Sequence, residues 1–273
     1  MLEMLGWRGI GALVVDSGGH AFSTGTFRSV PSIREYHELA KALDPDIVFT
    51  FDPHDFGADP AVVMSKFLKY YKEQADYWAA DGAPYLLYAV VHAHDAYSVS
   101  HELQMLREFA KYVESVHGRE LDGIGIAPSY TKSLATRFYL FRKVIEFMPD
   151  ARLHLLICDD FYKMLLMNVI NIQSGDTAFF KYANQFGTVL YGAMLQRGFS
   201  YSALYECYED RSVAPHYSNP AICAALKEFE RAISTDWVDA VEMMLPIVAS
   251  KGGHSAVEEF RQLVRTVQAV GRV

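Results

Sequence analysis

Short apolar, β-branched runs alternate with longer amphipathic stretches through the first two thirds of the chain, a pattern that few architectures other than parallel βα units accommodate. The runs are ALVVD at 12–16, DIVFTFD at 46–52, YLLYAVVHAH at 85–94, LDGIGIA at 121–127, RLHLLIC at 152–158 and, less sharply, VINIQSGD at 169–176. Each is predicted to be a strand. Between them, 32–43, 60–78, 99–117 and 131–147 carry apolar residues at three-and-four spacing with few breakers, so helices are predicted there. Polar residues then fall at the carboxyl ends of the predicted strands: Asp16, Asp52, His92 with His94, and Asp159 with Asp160. In α/β barrels that end of the sheet carries the chemistry. After Gly187 the pattern turns helical, over 191–208, 220–233, 237–248 and 255–267, with the loop EDRSVAPHYSNP at 209–220 as the candidate hinge. The expected organisation is a (β/α)-barrel catalytic domain over 1–195 and a helical C-terminal extension over 196–273 packed on it.

A chain of 273 residues that is 51% apolar and 21% charged can bury one substantial core. Its net charge of −8 argues against a surface that coats nucleic acid generally, so any polyanion must meet a local basic patch. Cys158, Cys207 and Cys223 form no CxxC pair and are read as free thiols. The opening MLEMLGWRGIGALVV is too short an apolar run to span a bilayer and lacks the basic start of a signal peptide, so a cytoplasmic protein without membrane contact is expected.

The most informative segment is VVDSGGHAF at 14–22, an acid at a strand end followed by a serine and two glycines. Without a Cβ, Gly18 and Gly19 let a ligand approach the backbone closely. Here the chain resembles the tRNA-guanine transglycosylase superfamily, whose members carry Asp-Ser-Gly-Gly-aromatic-Gln at a strand end. Asp16, Ser17, Gly18 and Gly19 match; His20 and Ala21 replace the last two. LDPDIVFTFDPHD resembles the strand ending in the base-recognising acid, which places that acid at Asp52. In YLLYAVVHAHD, His92 and Ala93 stand where the family has Gln-Gly, and LDGIGIAPS keeps Asp122 and Gly123 of a later run. RLHLLICDD resembles the strand that supplies one wall of the base pocket, here Leu156, and QSGDTAFFKYANQFG puts the nucleophile at Asp176. The six segments cover roughly 12 to 190 in the family's order, and that ordered set is more specific than any one of them. The substitutions lie closer to the branch that inserts 7-deazaguanine bases into DNA.

The resemblance implies a TIM-like (β/α)8 barrel and a base exchange on DNA or tRNA. Asp176 would attack C1′ to give a covalent sugar-enzyme intermediate, and a 7-deazaguanine such as 7-cyano-7-deazaguanine would then attack the same carbon with retention. Asp16 would carry the proton between leaving and entering bases. Asp52 would accept from the N1–H and 2-amino edge, with Ser17 and the Gly18 and Gly19 amides assisting, His92 lining the pocket, and His20 and Leu156 sandwiching the ring. Two departures stand out. The CxCxxC-plus-His zinc site of the tRNA enzymes has no counterpart around Cys207 or Cys223, so neither metal nor cofactor is expected. Only 15 residues precede Asp16 where the family has two strands, so the barrel is either incomplete, closed differently at its N-terminus, or completed by a partner chain in a homo- or hetero-oligomer.

Plainer readings stand beside these. Asp16, Asp52 or Asp159 could each simply cap the following helix, and QSGDT is also an ordinary turn. His92 and His94 with His54 and Asp55 could form the metal centre of a barrel hydrolase. The degenerate positions His20, Ala21, Ala93 and Ala127 also fit a non-catalytic subunit that scaffolds a catalytic partner. Tyr70, Tyr71, Tyr77 and Trp78 could stack on bases, but such a stripe at helical spacing reads first as core. Lys66, Lys69 and Lys72 on that helix, and Arg137, Arg142, Lys143, Lys181, Arg197 and Arg211 elsewhere, are the basic candidates for phosphate.

Overall fold

The computed structural model describes residues 13–17, 30–52, 59–92, 95–127, 133–156, 161–172, 174–175, 231 and 234–272. Strands and helices alternate as β1 (Val14–Val15), α1 (Ile33–Ala42), β2 (Ile47–Phe49), α2 (Pro60–Ala80), β3 (Leu86–His92), α3 (Ala96–His117), β4 (Gly123–Ala127), α4 (Leu134–Phe147), β5 (Arg152–Leu155), α5 (Phe161–Val169), β6 (Ser174–Gly175) and α6 (Trp237–Ala269). The sheet order is the chain order, β1-β2-β3-β4-β5-β6. Parallel pairing sets Val14 against Ile47, Ile47 against Leu86 and Tyr88 against Gly123. Parallel neighbours need a long crossover between them, and the helices supply it. The six strands among the described residues fall in the six predicted runs and make a parallel α/β sheet consistent with part of a TIM-like barrel, short of the eight strands of a complete (β/α)8 barrel. No described helix is long and apolar enough to cross a membrane.

The chain forms two compact units, Met1–His154 and Leu155–Val273. In the first, β2 and β4 are buried along their whole length and β3 along all but Leu86, which is why their sequences are continuous apolar runs. Helix α2 buries Val63, Met64, Phe67, Tyr71, Ala75 and Trp78, one stripe at three-and-four spacing, so its aromatic residues are largely core. The helix starts carry their own stop signals for the strand before. Ser32 and Glu35 form a capping box on α1, Asp59 caps α2 ahead of Pro60, and Asp95 with Ser98 caps α3. The Asp95 cap places the start of α3 three residues earlier than apolar spacing alone predicts. Gly118, at φ 65°, closes α3 in the left-handed conformation that glycine adopts without strain.

Buried polar side chains finish the hydrogen bonding that the short strands leave open. Gln74 accepts from the Phe51 N–H at 2.8 Å and donates to the Phe49 carbonyl at 3.3 Å. Tyr36 and Tyr71 donate to the carbonyls of Phe49 and Val90, and the Trp78 indole donates to that of Tyr85. At the amino ends of the strands, Asp46 accepts from the Leu13 N–H and Asp122 from the Leu87 N–H, at 2.7 and 2.8 Å. Asp122 therefore ties β4 to β3 at the edge remote from the candidate chemistry.

In the second unit α5 ends at Val169, where a strand is expected from 169 onward. The run LLMNVI is apolar but for Asn168, and so short a run does not distinguish a buried helix from a buried strand by periodicity. The Trp237 indole donates to the Val169 carbonyl at 2.8 Å, and Asn171 and Arg272 exchange side-chain-to-carbonyl bonds at 2.8 and 3.0 Å. Two helices are expected over 237–248 and 255–267, and the helical run Trp237–Ala269 is two helices that meet at Gly253, whose φ 66°, ψ −163° lies in a region essentially reserved for glycine. The expected helix at 191–208 and the hinge at 209–220 lie outside the described residues, as does all of 220–233 but Arg231.

Gly123 faces the ring of buried Tyr88 so closely that a Cβ there would sit 2.5 Å from its nearest carbon. Gly123→Ala should therefore cost about 1–3 kcal/mol through overpacking. Urea titration should show a lower midpoint with an unchanged slope.

Candidate active site at the carboxyl ends of three strands

Three consecutive strands deliver polar side chains to one place. Ser17 follows β1 by two residues, Asp52 follows β2 by three, and His92 is the last residue of β3. The segment carrying Asp52 is pinned from both sides. Thr50 donates its N–H to the Tyr88 carbonyl and accepts from the Val90 N–H through its hydroxyl, while the Phe51 N–H is held by Gln74. These bonds continue the β2–β3 pairing up to the acid and fix where its carboxylate points.

The Ser17 hydroxyl donates to one oxygen of Asp52, and His92 Nε2 lies 2.7 Å from the other. On the far side of the imidazole, His92 Nδ1 is 3.7 Å from a carboxyl oxygen of Glu102, which projects from α3. That distance makes an ion pair and is too long for a hydrogen bond; neither Glu102 oxygen has a hydrogen-bond partner. Ser17 and Asp52 are 6% and 5% exposed, His92 1% and Glu102 not at all, so three ionisable groups share a nearly dry interior. The Phe67 ring, from α2, lies 5.9 Å from the imidazole and helps to keep water out.

The charges are mutually dependent. Burial pulls the His92 pKa down, but the Asp52 and Glu102 carboxylates more than reverse this and raise it to about 10. Burial raises that of Glu102, against the opposing pull of His92. His92 is thus an imidazolium between two carboxyl groups at neutral pH. The Tyr36 hydroxyl is pushed well above its usual range by burial first and then by the fields of Asp16 and Asp52. Asp16 itself is exposed beside buried Ser17, an acid with access to solvent next to one without.

The order of contacts limits the chemistry. A serine nucleophile needs its hydroxyl on an imidazole nitrogen, with the acid behind the ring. Here the acid lies between Ser17 and His92, so the serine serves as a donor to Asp52. Each Asp52 oxygen has accepted one donor and has capacity for another. Ser17 and His92 thus fix the orientation of the buried Asp52 carboxylate from both of its oxygens.

Of the predicted site residues, the structure brings together Ser17, Asp52 and His92, with Asp16 adjacent in sequence. Leu156 is buried and belongs to the second compact unit. Gly18, Gly19, His20 and Asp176 lie outside the described residues, as do His54, Asp55 and His94 of the metal-centre alternative. Among the basic candidates, Arg142 and Lys143 pair with Glu146 at 3.0 and 2.6 Å, and the Lys66 and Lys72 amines lie over the Tyr70 and Tyr112 rings. The described residues also gather His37, Glu38 and Asp81 closely enough to hold a cation. There Lys41 already sits on Asp81 and His37 bonds the Tyr85 hydroxyl just before β3, so this cluster ties α1 and α2 together at the amino edge. Glu102 went unrecognised in the sequence; its signal is an acid inside the apolar stripe Val99, Leu103, Leu106, Phe109. No protein-family model matches this sequence, and no curated protein is significantly similar to it.

Because His92 binds its proton more tightly folded than unfolded, its stabilisation is complete below the unfolded value of about 6.5 and is lost as pH rises through about 10. Glu102, also raised, adds a loss of the same sign above the ordinary carboxyl range. Unfolding free energies from urea titrations should fall across that window, and His92→Gln should flatten the fall; a wild-type profile that climbs with pH would contradict the charge assignment.

Proposed function

We propose that this protein exchanges guanine in a nucleic acid, DNA or tRNA, for a 7-deazaguanine base. The observation that carries the reading is the state of Asp52. It is the acid to which the family resemblance gives base recognition; it is buried at a strand's carboxyl end, and Ser17 and His92 each hold one of its oxygens. A carboxylate so held offers two in-plane acceptor positions, matching the N1–H and 2-amino hydrogens of a guanine edge. Burial raises the value of those hydrogen bonds, because a ligand lacking either donor leaves a charged acceptor unmatched.

Six parallel strands in chain order fit part of a TIM-like barrel, whose carboxyl end is the place for such a site. Exposed Asp16, next to Ser17, suits a group that must take a proton from one base and return it to another. The nucleophile, Asp176, is carried by the resemblance alone. Breaking the glycosidic bond requires it to attack C1′ while the departing guanine takes up a proton; the entering base then displaces the carboxylate and loses one. The polymer's phosphates would meet a local basic patch, since the chain as a whole is acidic.

Purified protein incubated with guanine-labelled DNA or tRNA and 7-cyano-7-deazaguanine should release label. Asp176→Ala should abolish release, and Asp52→Asn should lower kcat/KM by about tenfold to a hundredfold through the loss of charge-assisted bonds, with melting curves recorded alongside. Absence of release from either polymer by the wild-type protein would sink the proposal, and a fully active Asp176→Ala would remove the nucleophile.

A further inference from the structure

Glu102 is a carboxylic acid with no exposure, set in the apolar stripe of α3, and neither of its oxygens has a hydrogen-bond partner. An isolated buried carboxylate costs several kcal/mol of desolvation, on the order of what a whole small domain has to spare. The nearest charged group among the described residues is His92, 3.7 Å away, on the imidazole nitrogen opposite the one that meets Asp52. We infer that Glu102 is a positioning residue: acting through His92, it holds the imidazolium with its Nε2–H on Asp52 and so fixes the carboxylate that receives the ligand. This rests on the reading of Asp52 as the base acceptor.

The physical reasoning runs through charge count. With Asp52 alone, the pair would be neutral, and ligand N–H groups that took over part of the carboxylate's charge would weaken its hold on the imidazolium and let His92 lose its proton to solvent. A second carboxyl on the other nitrogen leaves the imidazolium attracted from both sides, so that the proton on Nε2 stays where it supports Asp52. Other groups are committed elsewhere. Ser17 donates to Asp52 from β1, and the Tyr71 hydroxyl from α2, within the field of both acids, is donated to the Val90 carbonyl. Among the described residues, Asp52 and Glu102 are the carboxyl groups whose fields reach His92.

The test uses the full-length protein and two readouts. Imidazole NMR identifies the His92 ring by its loss in His92→Gln, and calorimetry gives the Kd of 7-cyano-7-deazaguanine. In wild type the ring should be doubly protonated at pH 7.5. In Glu102→Gln, which keeps shape and removes charge, its titration midpoint should fall by about one to three pH units, the shift expected of a carboxylate at this range, and Kd should weaken about tenfold; Glu102→Asp should recover part of both. A neutral wild-type ring at pH 7.5, or a midpoint unmoved in Glu102→Gln, overturns the role of Glu102, and the wild-type spectrum decides even if the variants fail to fold. Wild-type protein that binds no 7-deazaguanine while the ring titrates as described would instead count against the proposed function and leave the link between Glu102 and His92 standing.

Discussion

A charged imidazole packed between two acids in a dry interior can exist only if all three are assembled together. Taking any one of them out of water alone would cost several kcal/mol, and removing one partner leaves the others uncompensated. The 2.7 Å contact of His92 with Asp52 is the centre of this arrangement. It requires β2 and β3 to be neighbours in the correct register, with Asp52 brought level with the end of β3. Thr50 secures that level through its N–H to the Tyr88 carbonyl and its hydroxyl to the Val90 N–H, and the Gln74 side chain holds the Phe51 N–H beyond the last residue of β2. The packing of α2 and α3 then follows, because α2 supplies Gln74, Tyr71 and Phe67, and α3 supplies Glu102.

The two edges of the same sheet use carboxylates for opposite purposes. At the amino edge Asp46 and Asp122 accept backbone N–H groups of neighbouring strands, and Asp81 holds His37 and Lys41 across two helices. Those acids have found their partners within the chain and serve its cohesion. At the carboxyl edge Asp52 is held by side chains and keeps acceptor capacity, and Asp16 beside it stays exposed. A parallel sheet makes this division natural, since every strand begins on one edge and ends on the other. The same residue type therefore meets backbone N–H groups at one end of the sheet and side chains at the other.

Much of this was legible before any coordinates. The helix starting at Ile33 and α2 were readable from apolar residues at three-and-four spacing with few breakers, and the structure adds the Ser32–Glu35 capping box and the Asp59 cap at their starts. The long central strand β3 was readable from its apolar run, and its terminal His92 marked a polar residue at a strand end. The strand expected over 169–176 begins only at Ser174, because the short, largely apolar run before it carries no clear period. All six predicted strands were legible as apolar runs, whereas the completeness of the barrel came from resemblance and had no runs in the chain behind it.

Local pattern determined the elements, their order and which residues would stand at the carboxyl edge, because period, caps and breakers act over a few residues. Only the folded structure decided that Ser17, Asp52, His92 and Glu102 meet, since their sequence separations, 35 residues between Ser17 and Asp52 alone, carry no local signal. It also decided that Asp52 lies between the serine and the histidine, which turns a set resembling a hydrolase triad into a held acceptor. Glu102 shows the physical reason most clearly. Within its helix it is an acid misplaced in an apolar stripe, and only the approach of a neighbouring strand's imidazole supplies the charge that makes its burial tolerable.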